Sequence, residues 1–193
     1  MPFTIPNLLT WLRLALIPVF VTFYYLPFHW NHIIAALVFA LAALTDWLDG
    51  FLARTLNQSS PFGEFLDPVA DKLIVMTALV VLAVNLPYLT FAAIVIIARE
   101  IAISALREWM AEIGKRANVA VSFVSKVKTF VQMIAVVLLL AASGNEAVSW
   151  WYNVHLILGY GLLYCAVGLT LWSMVVYLRA AWPSLRMDVH KPE

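Results

Sequence analysis

The sequence predicts an all-α, polytopic membrane protein with six transmembrane helices and both termini on the cytoplasmic side. Three observations carry this expectation. The 193 residues are 64% hydrophobic and only 12% charged, with a mean hydropathy of +0.90, a composition that needs lipid as its solvent. The apolar residues fall into six runs, each near the ~20 residues that a bilayer requires. Lysine and arginine gather in alternate connections, which sets an orientation. The formal net charge of +1 offers nothing that would attract nucleic acid as a partner.

The first run, Leu8–Leu26, follows no basic cluster and carries Arg13 inside it, so it reads as an uncleaved helix rather than a secretory leader. The second and third are His32–Arg54 and Pro68–Leu86, separated by Thr55–Asp67. Asp67-Pro68 is expected to open the third helix, with proline at or near its first position. Leu89–Met110, Ser122–Ala142 and Trp151–Leu178 complete the set. With no internal repeat or low-complexity tract, residues 1–193 form one membrane domain.

The connections after runs one, three and five contain no lysine or arginine. Those after runs two and four, their flanking helix ends and the C-terminal tail hold Arg54, Lys72, Arg107, Lys115, Arg116, Lys126, Lys128, Arg179, Arg186 and Lys191. Positive loops stay inside, so these lie in the cytoplasm. Trp150, Trp151 and Tyr152 fit an aromatic belt on the opposite face. Cys165 sits in an apolar run and is expected to serve packing. Gly159, Gly161 and Gly168 would allow close helix contact. The four histidines lack metal-ligand spacing with one another and are assigned no chemistry.

One stretch departs from the lipid-soluble pattern: Asp46, Asp49, Gly50, Arg54, Gly63, Asp67 and Asp71. Ionisable residues at membrane depth are costly and mark function by default. On helices, Asp46, Asp49 and Ala53 share one face, and Asp67 and Asp71 share another. Two helices that face each other with paired carboxylates suit hard divalent cations. Without cations, four close acids would repel one another, and Arg54 and Lys72 could not neutralise them. A transporter or proton relay would set its acids near the midplane of repeat-related halves. Here they cluster at one face of one helix pair. Membrane prenyltransferases bind pyrophosphate through aspartate-rich motifs on two separated helices, whereas this chain has a single compact motif.

The pattern Asp46-x2-Asp49-Gly50-x2-Ala53-Arg54-x8-Gly63-x3-Asp67-x3-Asp71 resembles, at all eight specified positions, the signature of the CDP-alcohol phosphotransferases. Pro6-Asn7-Leu8-Leu9-Thr10 with Arg13 and Pro18, Asp67-Pro68-Val69-Ala70-Asp71-Lys72, Ala98-Arg99-Glu100-Ile101 with Ser104 and Leu106-Arg107-Glu108, and Lys126-Val127-Lys128-Thr129 are similar to the branch of that family whose acceptor is glycerol 3-phosphate.

The resemblance implies transfer of a phosphatidyl group from CDP-diacylglycerol to the 1-hydroxyl of sn-glycerol 3-phosphate, with release of CMP. It implies two Mg2+ or Mn2+ ions held by Asp46, Asp49, Asp67 and Asp71, with Asp71 as general base. Asp49, Gly50, Ala53, Arg54 and Gly63 would contact CDP-diacylglycerol. A homodimer in a bacterial inner membrane, with the active site at its cytoplasmic face, is implied as well. The acceptor phosphate needs cations, and Arg99, Arg107, Lys126 and Lys128 are the candidates. For Arg99 the competing role is an ion pair with Glu100 or Glu108, and for Lys126 and Lys128 it is cytoplasmic anchoring. Thr10 and Arg13 are placed near the site from helix one without an assigned role.

Overall fold

The computed structural model describes residues 5–56, 61–114, 123–144 and 150–187. These fold into six α-helices: α1 (Ile5–Tyr25), α2 (Asn31–Leu56), α3 (Pro61–Asn85), α4 (Thr90–Glu112), α5 (Phe123–Ala141) and α6 (Trp150–Met187), with a 3-10 turn at Pro87–Leu89 before α4. Each apolar run becomes one helix, because in lipid a backbone must satisfy its own hydrogen bonds. Three helical stretches, Asn7–Tyr25, Pro87–Glu112 and Asn153–Pro183, are long and apolar enough to cross a membrane, and Asn31–Asp46 and Val127–Ala141 are shorter apolar helices.

Two boundaries differ from expectation. α3 begins at Pro61, so Asp67 lies inside the helix rather than at its start, and Pro68 is an interior proline. Pro61 takes the first position, where its missing N–H costs nothing. Pro68 is exposed, and an apolar bundle tolerates such a residue where neighbours satisfy the freed carbonyl. α6 runs to Met187, nine residues beyond Leu178. At 1.5 Å per residue its 38 residues extend about 57 Å, well past a hydrocarbon core of about 30 Å.

α1 packs on α2 and α3, α2 and α3 also meet α5, and α4 is held between α3 and α6, while α5 pairs with α6. Phe20, Phe39, Ile74, Leu79, Ile96, Leu139 and Leu163, contributed by all six helices, are buried in one core. Buried alanines line the contacts, among them Ala35, Ala42, Ala78, Ala92 and Ala135, and small residues let helix axes approach closely. The outer surface carries large apolar side chains such as Leu37, Val84, Phe91, Phe130, Ile157 and Trp172. Such a surface suits lipid and not water.

Gly159 packs within the chain, since a Cβ there would lie 2.7 Å from Leu139 Cγ, while Gly161 and Gly168 meet nothing within 4 Å. Cys165 is exposed. It therefore faces outward from α6 and does not pack in the core. His32 stacks edge-on against Tyr24, with ring centroids 4.8 Å apart.

Lys115, Arg116, His190 and Lys191 lie outside the described residues, as do the side chains of Asp49, Ala53, Arg54, Lys126, Trp150, Trp151, Tyr152 and Arg186 and the surroundings of Gly50.

Candidate active site

Two polar clusters sit inside the bundle. The first is acidic and is built by α1, α2 and α3. Asn7, Thr10 and Arg13 are buried on one face of α1. The Thr10 hydroxyl donates to Asp67 Oδ1. Arg13 donates through Nη1 to Asp71 Oδ1, and its Nη2 lies 3.4 Å from Asp46 Oδ1. A guanidinium can bridge two carboxylates in this way because its donors form a planar fork. Arg13 is fully buried, yet the side chains of Asp46 and Asp71 remain 45% and 38% exposed. Gly63, near the start of α3, is buried.

The second cluster is basic and is built by α4, α5 and α6. Glu100 Oε1 accepts from Arg99 Nη1 at 2.9 Å and from Lys128 Nζ. Arg99 also donates through Nη2 to Ser173 Oγ at 2.7 Å. Arg107 donates to the Tyr177 hydroxyl at 2.7 Å and lies 4.9 Å from the centre of that ring, with Arg99 at 5.8 Å. Tyr177 thus anchors both arginines by cation–π contact.

A cavity of about 230 Å³ joins the two clusters. Asp46, Asp71 and Lys72 line it at the acidic end and Glu100, Lys128, Thr129 and Gln132 at the basic end, together with apolar side chains such as Met76, Ile96 and Met133. Lys72 donates to Ser104 of α4. Of the residues expected at the acceptor phosphate, Lys128 reaches this wall, whereas Arg99 and Arg107 stand outside it toward α6. Gln132 is a cavity residue to which the sequence attached no role; from the sequence Lys72 is expected only as a cytoplasmic cation, and Glu100 only as a partner of Arg99, which it is.

The acidic donors are all hard oxygens, the chemistry preferred by magnesium or manganese. Among the described residues, no three of His, Cys, Asp or Glu close on one point tightly enough to enclose an ion. The exposed faces of Asp46 and Asp71 are nonetheless open to a hard cation, so the donor set fits such an ion in chemistry.

A helical bundle of membrane type that exposes paired carboxylates to a cavity is the class of protein this structure defines. The chain belongs to the CDP-alcohol phosphatidyltransferase family, whose model matches residues 3–177. It is 55% identical to the CDP-diacylglycerol--glycerol-3-phosphate 3-phosphatidyltransferase of Pseudomonas fluorescens, over 97% of this chain and 94% of that one. It is 53% identical to the protein of the same name from Pectobacterium atrosepticum, over the whole of both chains. The Salmonella typhimurium protein of that name is 52% identical, over 94% of this chain and 96% of its own.

Proposed function

We propose that this chain is an enzyme of phosphatidylglycerol biosynthesis that transfers the phosphatidyl group of CDP-diacylglycerol to sn-glycerol 3-phosphate. The activity follows from identity of 52–55% along nearly the full length of relatives with that name. The observation that supports a mechanism is the cavity with carboxylates at one end and Lys128 at the other. One end suits the reacting pyrophosphate, and the other suits the phosphate of the acceptor.

In this reading the acceptor's 1-hydroxyl oxygen attacks the phosphorus that carries diacylglycerol. The bond from that phosphorus to the bridging oxygen breaks, and CMP departs with the electron pair. Asp71 takes the hydroxyl proton, help typically worth about 10²–10⁴-fold. Arg13 fixes the orientation of Asp71 and Asp46, and Thr10 fixes Asp67. Asp46, Asp49, Asp67 and Asp71 would hold two divalent cations, which when bound neutralise charge on the pyrophosphate and the departing CMP. Asp49, Gly50, Ala53, Arg54 and Gly63 would face the nucleotide. Lys128, with Lys126 beside it in sequence, receives the acceptor phosphate. Arg99 and Arg107 support that charge from behind the wall.

The segregation of lysine and arginine supports six spans with both termini and the site on the cytoplasmic side of a bacterial inner membrane. A homodimer completes the reading on family resemblance.

The test is CMP release from CDP-diacylglycerol by detergent-purified protein with magnesium, offered glycerol 3-phosphate, serine or inositol separately. Release with glycerol 3-phosphate alone, abolished by chelator, is expected. Release with serine or inositol instead would overturn the acceptor assignment.

A further inference from the structure

Glu100 is an acid set among cations, and the way it is bonded is uneven. Both Lys128 and Arg99 donate to the same carboxylate oxygen, Oε1. The other oxygen, Oε2, takes no hydrogen bond from the described residues. Lys128 and Arg99 are almost wholly buried, while a quarter of the Glu100 side chain stays accessible, and it lies on the cavity wall. An ionised carboxylate has about four acceptor sites on its two oxygens, and two donors fill those of one oxygen. Here one oxygen is saturated and the other is left to whatever enters.

A ligand that offered only phosphate would be repelled by that carboxylate. A ligand with both a phosphate and hydroxyl donors would satisfy Lys128 and Glu100 together. We infer that Glu100 is a specificity-determining residue, whose Oε2 accepts a hydrogen bond from the second, non-reacting hydroxyl of the acceptor. The inference rests on the acceptor being a phosphorylated polyol, as proposed above. It adds the group that reads the polyol.

The experiment compares sn-glycerol 3-phosphate with 3-hydroxypropyl phosphate, which keeps the reacting hydroxyl and the phosphate but lacks the middle hydroxyl. Both are assayed for CMP release on the wild-type protein, on Glu100→Gln and on Glu100→Asp. The ratio of kcat/KM for the two acceptors on one preparation is independent of how much of a variant has folded. The wild type should prefer glycerol 3-phosphate by roughly 10- to 100-fold, the usual worth of a hydrogen bond to a charged group. Glu100→Gln should cut that preference by about tenfold, through the glycerol 3-phosphate value alone, and leave the KM for CDP-diacylglycerol unchanged.

A variant that slows both acceptors equally would overturn the inference and make Glu100 a structural counter-ion. A wild type indifferent to the middle hydroxyl would do the same. If Glu100→Gln is silent with both acceptors, the ratio is read from Glu100→Asp, which keeps the charge but withdraws it by one methylene. Silence of both variants, from protein that still binds CDP-diacylglycerol, would also overturn it, since loss of one hydroxyl contact cannot abolish turnover. Failure of the wild type with both acceptors would instead sink the proposed function beneath it.

Discussion

The acidic and basic clusters are built on the same plan with the signs exchanged, and they differ in which charge is sealed. At the acidic end the cation bonded to the carboxylates, Arg13, is buried, and Asp46 and Asp71 around it stay substantially exposed. At the basic end Arg99 and Lys128 are buried, and the acid they share, Glu100, lies on the cavity wall. Sealed charges are already matched inside the protein and are costly to unpair, while open ones remain free to bind. The acidic end therefore offers its majority charge to a ligand. The basic end exposes Glu100, while Lys128 touches the cavity wall but is already paired with that acid, and the arginines serve as support.

The largest expected effect is at the open carboxylates. Asp71→Asn should lower kcat by about 10³-fold with folding intact, as removal of a general base does, and the assay is CMP release beside a thermal melt. Retention of more than a tenth of the activity would mean that Asp71 only binds. Next comes the sealed cation. Arg13→Gln leaves two carboxylates facing each other and should cost about 1–3 kcal/mol, less than a fully buried pair because the acids are part-exposed. Melts with and without magnesium would show the loss, and added magnesium should restore more stability to the variant than to the wild type. Equal magnesium responses would break the distinction between sealed and open charge.

Lys128→Met should raise the KM for glycerol 3-phosphate by about tenfold and hardly change that for CDP-diacylglycerol, the worth of one charged hydrogen bond. An equal rise for both substrates would show that the two ends are not separate. Tyr177→Phe keeps the ring beneath Arg107 and removes one hydroxyl, so about 1 kcal/mol of stability and no more than a fewfold change in KM are expected. A tenfold or larger effect would bring the arginines into direct contact with substrate.

Much of this could be read before any coordinates. Six apolar runs become six helices because hydropathy is a property of composition. Asp46, Asp67 and Asp71 stand out because acids in apolar runs have no bland explanation. What escaped was of two kinds. Pro68 looked like a helix start, because proline is favoured there in water and tolerated elsewhere in lipid. The sequence places Thr10 and Arg13, three apart on α1, near the site, but not their bonds to Asp67 and Asp71. Ser173 and Tyr177, four apart on α6, escaped because each is ordinary alone; all four are buried. Those polar stripes were visible as periodicity, but their partners were not. No spacing within α4 shows that Glu100 collects Lys128 from 28 residues away.

Arg13 also bears on how the protein is made. It is fully buried in the first helix, and its partner Asp71 lies 58 residues downstream. An arginine costs about 2.5–3.5 kcal/mol to insert at the centre of a helix and less toward an end, and Arg13 lies in the first half of α1, so the helix carries part of that penalty until α3 supplies its partner. Formation of the carboxylate site thus also relieves a penalty on the first helix: a nascent chain cut short before α3 should be extracted from the bilayer more readily than one that includes it, which a membrane-extraction assay of truncated chains would register.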